Sequence, residues 1–599
     1  MVTFSKQLGD RFSVQFVDTF RFMSCGLASL AQNLPASQFT NTMAFFEPQC
    51  AQLVMRKGVF PYDHVDTWER LDERQLPPQD CFFNILTDSD ISDADYDHAK
   101  TVWDTFKCST LGEYSDVYLK SDVLILCDVF ENFRTLCLST YGLDCAHYIS
   151  APGFSFDAML KYTKVQLELL TDYDKYLFVE SGIRGGVAQC MKRHCVANNT
   201  YVPETYDASK PITHLQYLDA NNLYGWAMSC PLPHNQFQWV ADTTIDFSDV
   251  PDDGPIGYIV ECDIEYPAAF HSSHRDLPFL PVRQCPSNTS QPKLLTTLTD
   301  KSHYVVHHVN LKQVLSHGLR ITKVHRVLQF QQSPWLKPYI DLNTIKRQAA
   351  QNDFERDFFK LCNNSCFGKL MENLRKRQKM ELVCSDERLR KLVARPTFKD
   401  RTVYDDSLVL VRLSKDEILF NKPIYAGFAV LDLSKSLMYD FHYGTMKPKY
   451  QDDIELAYMD TDSFIYHIRT VNFYQDLQND PHLLQKFNMS GYPPGHALHS
   501  TANAKVVGKF KDECSGRSMA EFVGLRAKLY ALRCAGVVTK RAKGIQKCVV
   551  KKTITFDDYL RALRQEARLR VQTVSDAGAS YRTAPRRHSQ TTGVRRAGA

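Results

Sequence analysis

An α+β fold spread over several domains is predicted by three features of the sequence. Its 599 residues, 44% of them apolar, suffice for more than one hydrophobic core. Strand-like runs stand between amphipathic helical patterns along the chain, a mixture that fits α+β architecture. No internal repeat of solenoid length is present.

The elements follow in chain order. The acidic stretch Asp88 to Asp97 leads into Tyr118 to Arg134, where Val123, Leu126, Val129, Phe130 and Phe133 recur at three- and four-residue spacing and predict an amphipathic helix. Strands are expected around Thr213 to Asp219, Pro255 to Tyr266, Ser407 to Leu413 and Ile454 to Ile468. Proline and polar residues between Pro278 and Asp300 predict a loop or an inserted module. From Arg561 onward, nine arginines, two acids and little apolar material predict a disordered, solvated tail.

Composition excludes some classes and leaves others open. A formal charge of +4 neither demands nor forbids nucleic acid, because clustering of basic residues matters more than their sum. The 18 cysteines are scattered singly, as at Cys25, Cys81, Cys108 and Cys230, which argues for a reducing compartment rather than a secreted disulfide scaffold. Cys190 and Cys195 lack a second Cys or His pair at ligand spacing, so no zinc site is expected there. With no run of about twenty apolar residues and no signal-peptide order, a soluble, intracellular protein without a membrane partner is expected.

Three segments carry chemistry. In Ile454 to Ile468, two strand-like runs flank Asp460-Thr-Asp462, a β-hairpin whose acids fall on one strand face or meet in the turn. Hard oxygen ligands of that kind suit magnesium, although a solvated polar turn reads equally well from this segment alone. In His214 to Met228, a strand ends at Asp219 and runs into a short helix. An acid there can meet the hairpin acids, so that two metals roughly 3.5–4 Å apart clamp an in-line displacement at phosphorus. Tyr224 stands just over a helical turn past Asp219 and could face a nucleotide sugar; from spacing alone, an ordinary core tyrosine is the stronger reading. In Asn352 to Lys369, Arg356, Lys360, Asn364 and Gly368 share one helical face, while Phe354, Phe358 and Leu361 share another. The basic face could hold a triphosphate, or be plain solvated surface.

Taken in order, the strand acid, the Lys360-x-x-x-Asn364-Ser-x-Phe367-Gly368 helix and the Asp-Thr-Asp hairpin resemble the A, B and C motifs of family B DNA polymerases. Gly524-Leu-Arg-Ala-Lys528-Leu-Tyr530 resembles the family's Lys-x-Tyr motif. Asp219-Ala-Asn-Asn-Leu-Tyr224, Phe358-Phe-Lys-Leu-Cys-Asn-Asn-Ser-Cys-Phe-Gly368 and Pro152-Gly-Phe-Ser-Phe156 are similar to the protein-primed branch found in Maverick or Polinton-type transposons, adintovirus-like elements and linear plasmids. Ile183-Arg-Gly185-Gly186 resembles the branch's Tyr-x-Gly-Gly element, with isoleucine in place of tyrosine.

The resemblance implies a right-hand polymerase of palm, fingers and partial thumb, preceded by a partial RNase H-like exonuclease domain. On this reading residues 1–150 are a partial, inactive exonuclease, 151–265 the start of the palm and 266–340 an insertion with a palm connection. Residues 341–385 are fingers helices, 386–480 palm, 481–560 palm end and thumb start, and 561–599 the basic tail. Asp219 and Asp462 would bind two Mg2+ ions, with Asp460 shaping the site or contributing more weakly, and Tyr224 would gate the ribose. Lys360 would neutralise triphosphate charge, Asn364, Phe367 and Gly368 would line the nascent pair, and Arg356 is a further phosphate candidate on geometry. Gly185, Gly186, Lys528 and Tyr530 would contact DNA. The implied partners are template and primer DNA, deoxynucleoside triphosphates and a terminal priming protein; the implied place is the nucleus or a viral replication site.

The resemblance also breaks. Of the proofreading motifs only Tyr118-x-x-x-Asp122 is recognisable, and Phe16 to Phe20 resembles a strand that follows the two missing motifs. Truncation at both ends is therefore expected, and a decayed mobile-element polymerase that binds DNA without copying it is the alternative function.

Overall fold

One large antiparallel sheet organises the computed structural model, which describes residues 3–242, 244–286 and 289–565. Its strands run in the order Val537–Ala542, Leu529–Cys534, Met519–Arg526, Thr213–Ala220, Ser463–Arg469, Ile454–Asp460 and Ala188–Cys190. Phe510–Asp512 pairs with the end of Thr213–Ala220, and His194–Val196 lies along Met519–Arg526. Alternation along Thr213–Ala220 buries Leu218 and Ala220 and turns Tyr217 and Asp219 to the open face. Ser463 stands opposite both Asp219 and Asp460, so two strand ends and one turn converge on a single point.

Behind this sheet runs the helix Ile424–Tyr439, buried at every position except Leu437. A helix enclosed on all sides is largely apolar, and the two charges this one buries, Asp432 and Lys435, stand 3.6 Å apart on it. It leads into a widened π-type turn, Asp440–Met446, where the Phe441 ring stacks on Phe510 at 3.6 Å. The core helix is thereby locked to the strand that borders Asp219.

The helix predicted around 118–134 spans Leu111–Tyr141. Thr110 caps it by accepting the Glu113 N–H at 3.2 Å, and Gly142, at φ 65°, ends it in the left-handed conformation that a glycine adopts without strain. Its buried stripe is Ile125, Val129, Phe133, Cys137 and Tyr141, whereas Val123, expected on the apolar face, is exposed. The packed face is set by a neighbour. Buried Asp128 accepts the backbone N–H groups of Asn41 (2.8 Å) and Thr42 (3.0 Å), pinning the helix Thr40–Phe45 against this side.

The helix Asp353–Leu370 begins at an Asn352 cap that accepts the Glu355 N–H at 2.9 Å. Phe358 meets Phe133 edge-on at 4.9 Å, and Ser155 Oγ donates to the Cys362 carbonyl at 2.6 Å. These contacts lay its buried side on the helices Leu111–Tyr141 and Ala151–Thr163.

Two smaller sheets depart from the sequence-based divisions. Lys301–His307, Ile256–Glu265, Arg320–Ser333 and Leu232–Val240 form one four-stranded antiparallel sheet, so a boundary at 265/266 passes through it. Gln378–Val383, Leu408–Ser414 and Phe398–Asp405 form a three-stranded sheet of their own, which a boundary at 385/386 divides. Long-range strand pairing, invisible to local patterns, decides both. The segment 278–300, read as a loop or inserted module, carries the short hairpin Val282–Gln284 with Lys293–Leu295. Arg561 to Gln565, assigned to the tail, continue the helix Phe556–Gln565; the remainder of that tail, 566–599, lies outside the described residues. Among the described residues no helix is long and apolar enough to cross a membrane.

Candidate active site

Asp219 is the penultimate residue of its strand, and Asn222 starts a new element three residues later. The Asn222 side chain accepts the Gly225 N–H at 3.2 Å, capping the helix Leu223–Ser229 and placing Tyr224 in its first turn. The Ala220 N–H donates to the Asp462 carbonyl at 2.7 Å, which ties the strand end to the hairpin turn. Within that turn Asp462 N–H donates to the Asp460 carbonyl at 2.6 Å, and Thr461 N–H donates to Val187 at 2.7 Å. Thr461 has φ 59°, and its side chain occupies the space over Gly186, where an added Cβ would meet it at 2.4 Å. Glycine at 186 is thus a steric requirement of the turn.

The three acids occupy different electrostatic settings. Burial, reinforced by the charge of Asp462 and opposed by Lys511, pushes Asp219 up to about 7. Asp462 is likewise raised by burial, against a backbone hydrogen bond and with the charge of Asp460 adding. Asp460 instead has a cation in contact: Lys528 Nζ lies 2.6 Å from its Oδ1. Lys511 Nζ stands 3.5 Å from Asp219 and 2.6 Å from Glu513, so its charge is shared.

A cleft of about 930 Å³ opens above these residues. Asp219, Tyr224, Asp460, Asp462, Lys528 and Tyr530 line it, joined by Tyr217. Its far wall is basic, with Lys540, Arg541, Lys543, Lys547 and Lys551. Tyr530 and Tyr217 hydroxyls are 3.2 Å apart, setting both phenols on the floor. The Tyr224 ring stacks on Phe367 with centroids 4.4 Å apart and planes 20° off parallel. That contact joins the helix Asp353–Leu370 to the Asp219 strand end.

The remaining predicted residues stand apart from the cleft. Arg356, Lys360, Asn364 and Gly368 lie on the exposed face of their helix, and Arg356 pairs with Asp353 at 2.7 Å. Gly185 is exposed beside Gly186. Tyr118 and Asp122 sit elsewhere, where Lys57 Nζ contacts Tyr118 Oη at 2.5 Å and Asp122 Oδ2 at 2.6 Å. Tyr62 completes that group through its hydroxyl contact with Tyr118.

Sequence reasoning missed Tyr458, Lys511, Glu513 and the basic wall. The density of Lys and Arg between 540 and 552 was a usable signal for the wall. Lys511 gave none, since it reaches Asp219 only through strand pairing.

Comparison with known proteins bears on the family and the fold. The family model described as DNA polymerase type B, organellar and viral, matches residues 2–443, ending before the Asp460 hairpin. No curated protein matches the sequence. Among solved structures, an orthorhombic crystal form of Phi29 DNA polymerase is similar with a TM-score of 0.52 at 14% identity, over 93% of this chain and 78% of that one. Phi29 DNA polymerase complexed with primer-template DNA and incoming nucleotides gives 0.51 at 15% identity with the same coverage. The fold is that of a right-hand polymerase, and the family match spans well over half the sequence; this chain belongs to the organellar and viral type B polymerases and is a DNA-directed DNA polymerase.

Proposed function

We propose that the chain extends a DNA primer from its 3′-hydroxyl with deoxynucleotides, by a two-metal mechanism, in protein-primed replication of a virus or mobile element. The observation that carries this reading is the convergence of Asp219 and Asp462 in a cleft whose opposite wall is basic.

Family B DNA polymerases are metal-dependent, and the donor set here fits a hard cation. Two half-buried carboxylates, both raised by burial, have among the described residues only Lys511 in contact, at 3.5 Å from Asp219, while Lys528 acts on Asp462 from its seat on Asp460. Asp219 and Asp462 would hold two Mg2+ ions, with Asp460 in a weaker supporting role because Lys528 already balances it. When bound, such ions stabilise charge on the attacking and leaving oxygens at phosphorus.

The chain's own groups do the rest. Tyr224, braced by Phe367, presents a ring edge that collides with a 2′-hydroxyl and so selects deoxyribose. Lys360 and Arg356 offer exposed cations to the triphosphate, and Asn364 and Gly368 line the nascent base pair. Lys528 and Tyr530 hold the primer end, Gly185, open above its Cα, lets DNA approach closely while Gly186 seats the turn beside it, and the basic wall follows the phosphate backbone. A terminal protein would supply the first hydroxyl, at a viral replication site or in a nucleus.

Primer extension by the purified chain on a labelled template tests the reading. Magnesium-dependent addition that Asp219→Asn abolishes supports it; DNA binding without any extension identifies a decayed polymerase instead.

A further inference from the structure

We infer that the four-stranded sheet carries a separate site for a divalent first-row transition ion of the zinc type, held by Asp263, His303 and His325. One donor atom from each of these residues lies within 4.8 Å of the other two. Two imidazoles and one carboxylate are a donor set that suits such ions and is poorly matched to magnesium, so the site would not draw on the ions of the cleft.

Strand register brings the three together. Asp263 is on the central strand Ile256–Glu265. On one side Lys301 pairs with Ile264 and Tyr304 with Cys262, so both Ser302 and His303 fall opposite Asp263. On the other side Val324 pairs with Cys262 and Arg326 with Glu261, leaving His325 as an extra residue. One flanking strand therefore bulges opposite Asp263 and the other between Cys262 and Glu261, and a bulge re-aims a side chain that regular pleating would point elsewhere. His303 accepts φ 48° to do so, a left-handed backbone conformation uncommon for a residue with a side chain.

The polar contacts are those of ligands already oriented. His303 N–H donates to Asp263 Oδ1 at 2.8 Å and fixes that carboxylate, whose Oδ2 stands 2.9 Å from His325 Nε2. Although His325 Nε2 is buried and close, it has no hydrogen-bond partner of adequate geometry among the described residues. The His303 and His325 rings stack with centroids 3.9 Å apart. Glu261 Oε1 sits 2.9 Å from His303 Nδ1, and its other oxygen, Oε2, accepts from Arg326 Nε at 2.6 Å. A carboxylate on the far nitrogen of a ligating histidine sets the ring's tautomer and orientation. A bound ion would cross-link three adjacent strands, drawing the donors in to about 3.3 Å from one another, the spacing of tetrahedral Zn–N bonds near 2.0–2.1 Å.

Titration of the full chain with Co2+, in excess Mg2+ and followed by visible absorption, tests the site. The expected result is one equivalent bound with nitrogen and oxygen ligand-field bands and no thiolate charge-transfer band. Binding is lost in His303→Ala, whose side chain is exposed, and in His325→Gln, which keeps the bulge's bulk. Glu261→Gln weakens it roughly ten- to a hundredfold. Zn2+ raises the melting temperature of the unsubstituted chain but not of His325→Gln. Binding unchanged in both histidine variants, or bands that report thiolate ligation, would overturn the proposal.

Discussion

Lys528 grips Asp460 from two directions. Its Nζ pairs with Oδ1 at 2.6 Å, while its backbone N–H donates to the Tyr458 hydroxyl, which in turn donates to Asp460 Oδ2 at 3.4 Å. The Lys-x-Tyr turn and the hairpin acid thus form one closed circuit, and Asp219 and Asp462 remain as the carboxylates open to a cation.

Unequal losses are therefore expected across the three acids. Asp219→Asn and Asp462→Asn should each lower single-nucleotide incorporation by about a thousandfold or more, because the charge removed contributes on the order of several kcal/mol in the transition state. Asp460→Asn should cost less, and DNA affinity should stay nearly unchanged in the first two. Equal rate losses for all three in rapid-quench assays would contradict the division of roles.

Sugar selection should depend on a stacked pair rather than one ring. Tyr224→Val is expected to raise ribonucleotide incorporation relative to deoxyribonucleotide, and Phe367→Ala to do so more weakly by freeing the Tyr224 ring from its 4.4 Å partner. Such a stack contributes about 0.5–1.5 kcal/mol. Competition assays with matched ribo- and deoxyribonucleotides measure both, and unchanged ratios would return Tyr224 to a packing role.

No proofreading is expected from this chain. Lys57 already neutralises Asp122, and burial together with Tyr62 pushes the Tyr118 hydroxyl well above its ordinary range. Asp128 is consumed in capping the helix Thr40–Phe45, and Asp116 lies exposed on the same helix as Asp122. Labelled single-stranded DNA incubated with Mg2+ should stay full length. Shortening from the 3′ end that Asp122→Ala removes would reveal an exonuclease.

Acid should weaken the fold through neutral buried histidines. Burial lowers His274 and His308 to about 4, His442 to about 3 and His307 well below the usual range. Once unfolded, each titrates near about 6.5, so the unfolded state binds more protons below that pH. Stability is thus fully present above about 6.5 and is lost as pH falls toward the folded values. Asp512, raised to about 6 by burial, works in the opposite sense, losing stability as pH rises through that range. Comparing variants separates the two. His442→Gln, which can still meet the Tyr466 hydroxyl, should reduce the loss between about pH 6.5 and about pH 5 by about 2 kcal/mol. An unchanged pH slope in thermal melts would refute the assignment.

The acids, the Tyr224 helix and the basic helical face were legible because each rests on local alternation or helical spacing. What was not legible lies between elements. The Lys528–Asp460 pair spans 68 residues and depends on a turn meeting a strand end. His303 and Asp263 are 40 residues apart and meet only because a bulge shifts register, which no periodicity records. The apolar stripe of Leu111–Tyr141 was displaced from Val123 to Ile125 for a related reason: the neighbour capped by Asp128 chooses the packed face.

Thr461 and Gly186 compete for one small volume, and this has a consequence for the order in which the site can change. A methyl group at 186 meets the threonine side chain at 2.4 Å, and threonine at φ 59° already bears a left-handed penalty of about 1–2 kcal/mol. Thr461→Gly relieves both constraints at once, whereas Gly186→Ala made first forces Thr461, and the turn that carries Asp460 and Asp462, to shift. Residue 461 must therefore give up its side chain before residue 186 can gain one without displacing the turn, so the two positions can change freely in one order and not in the other.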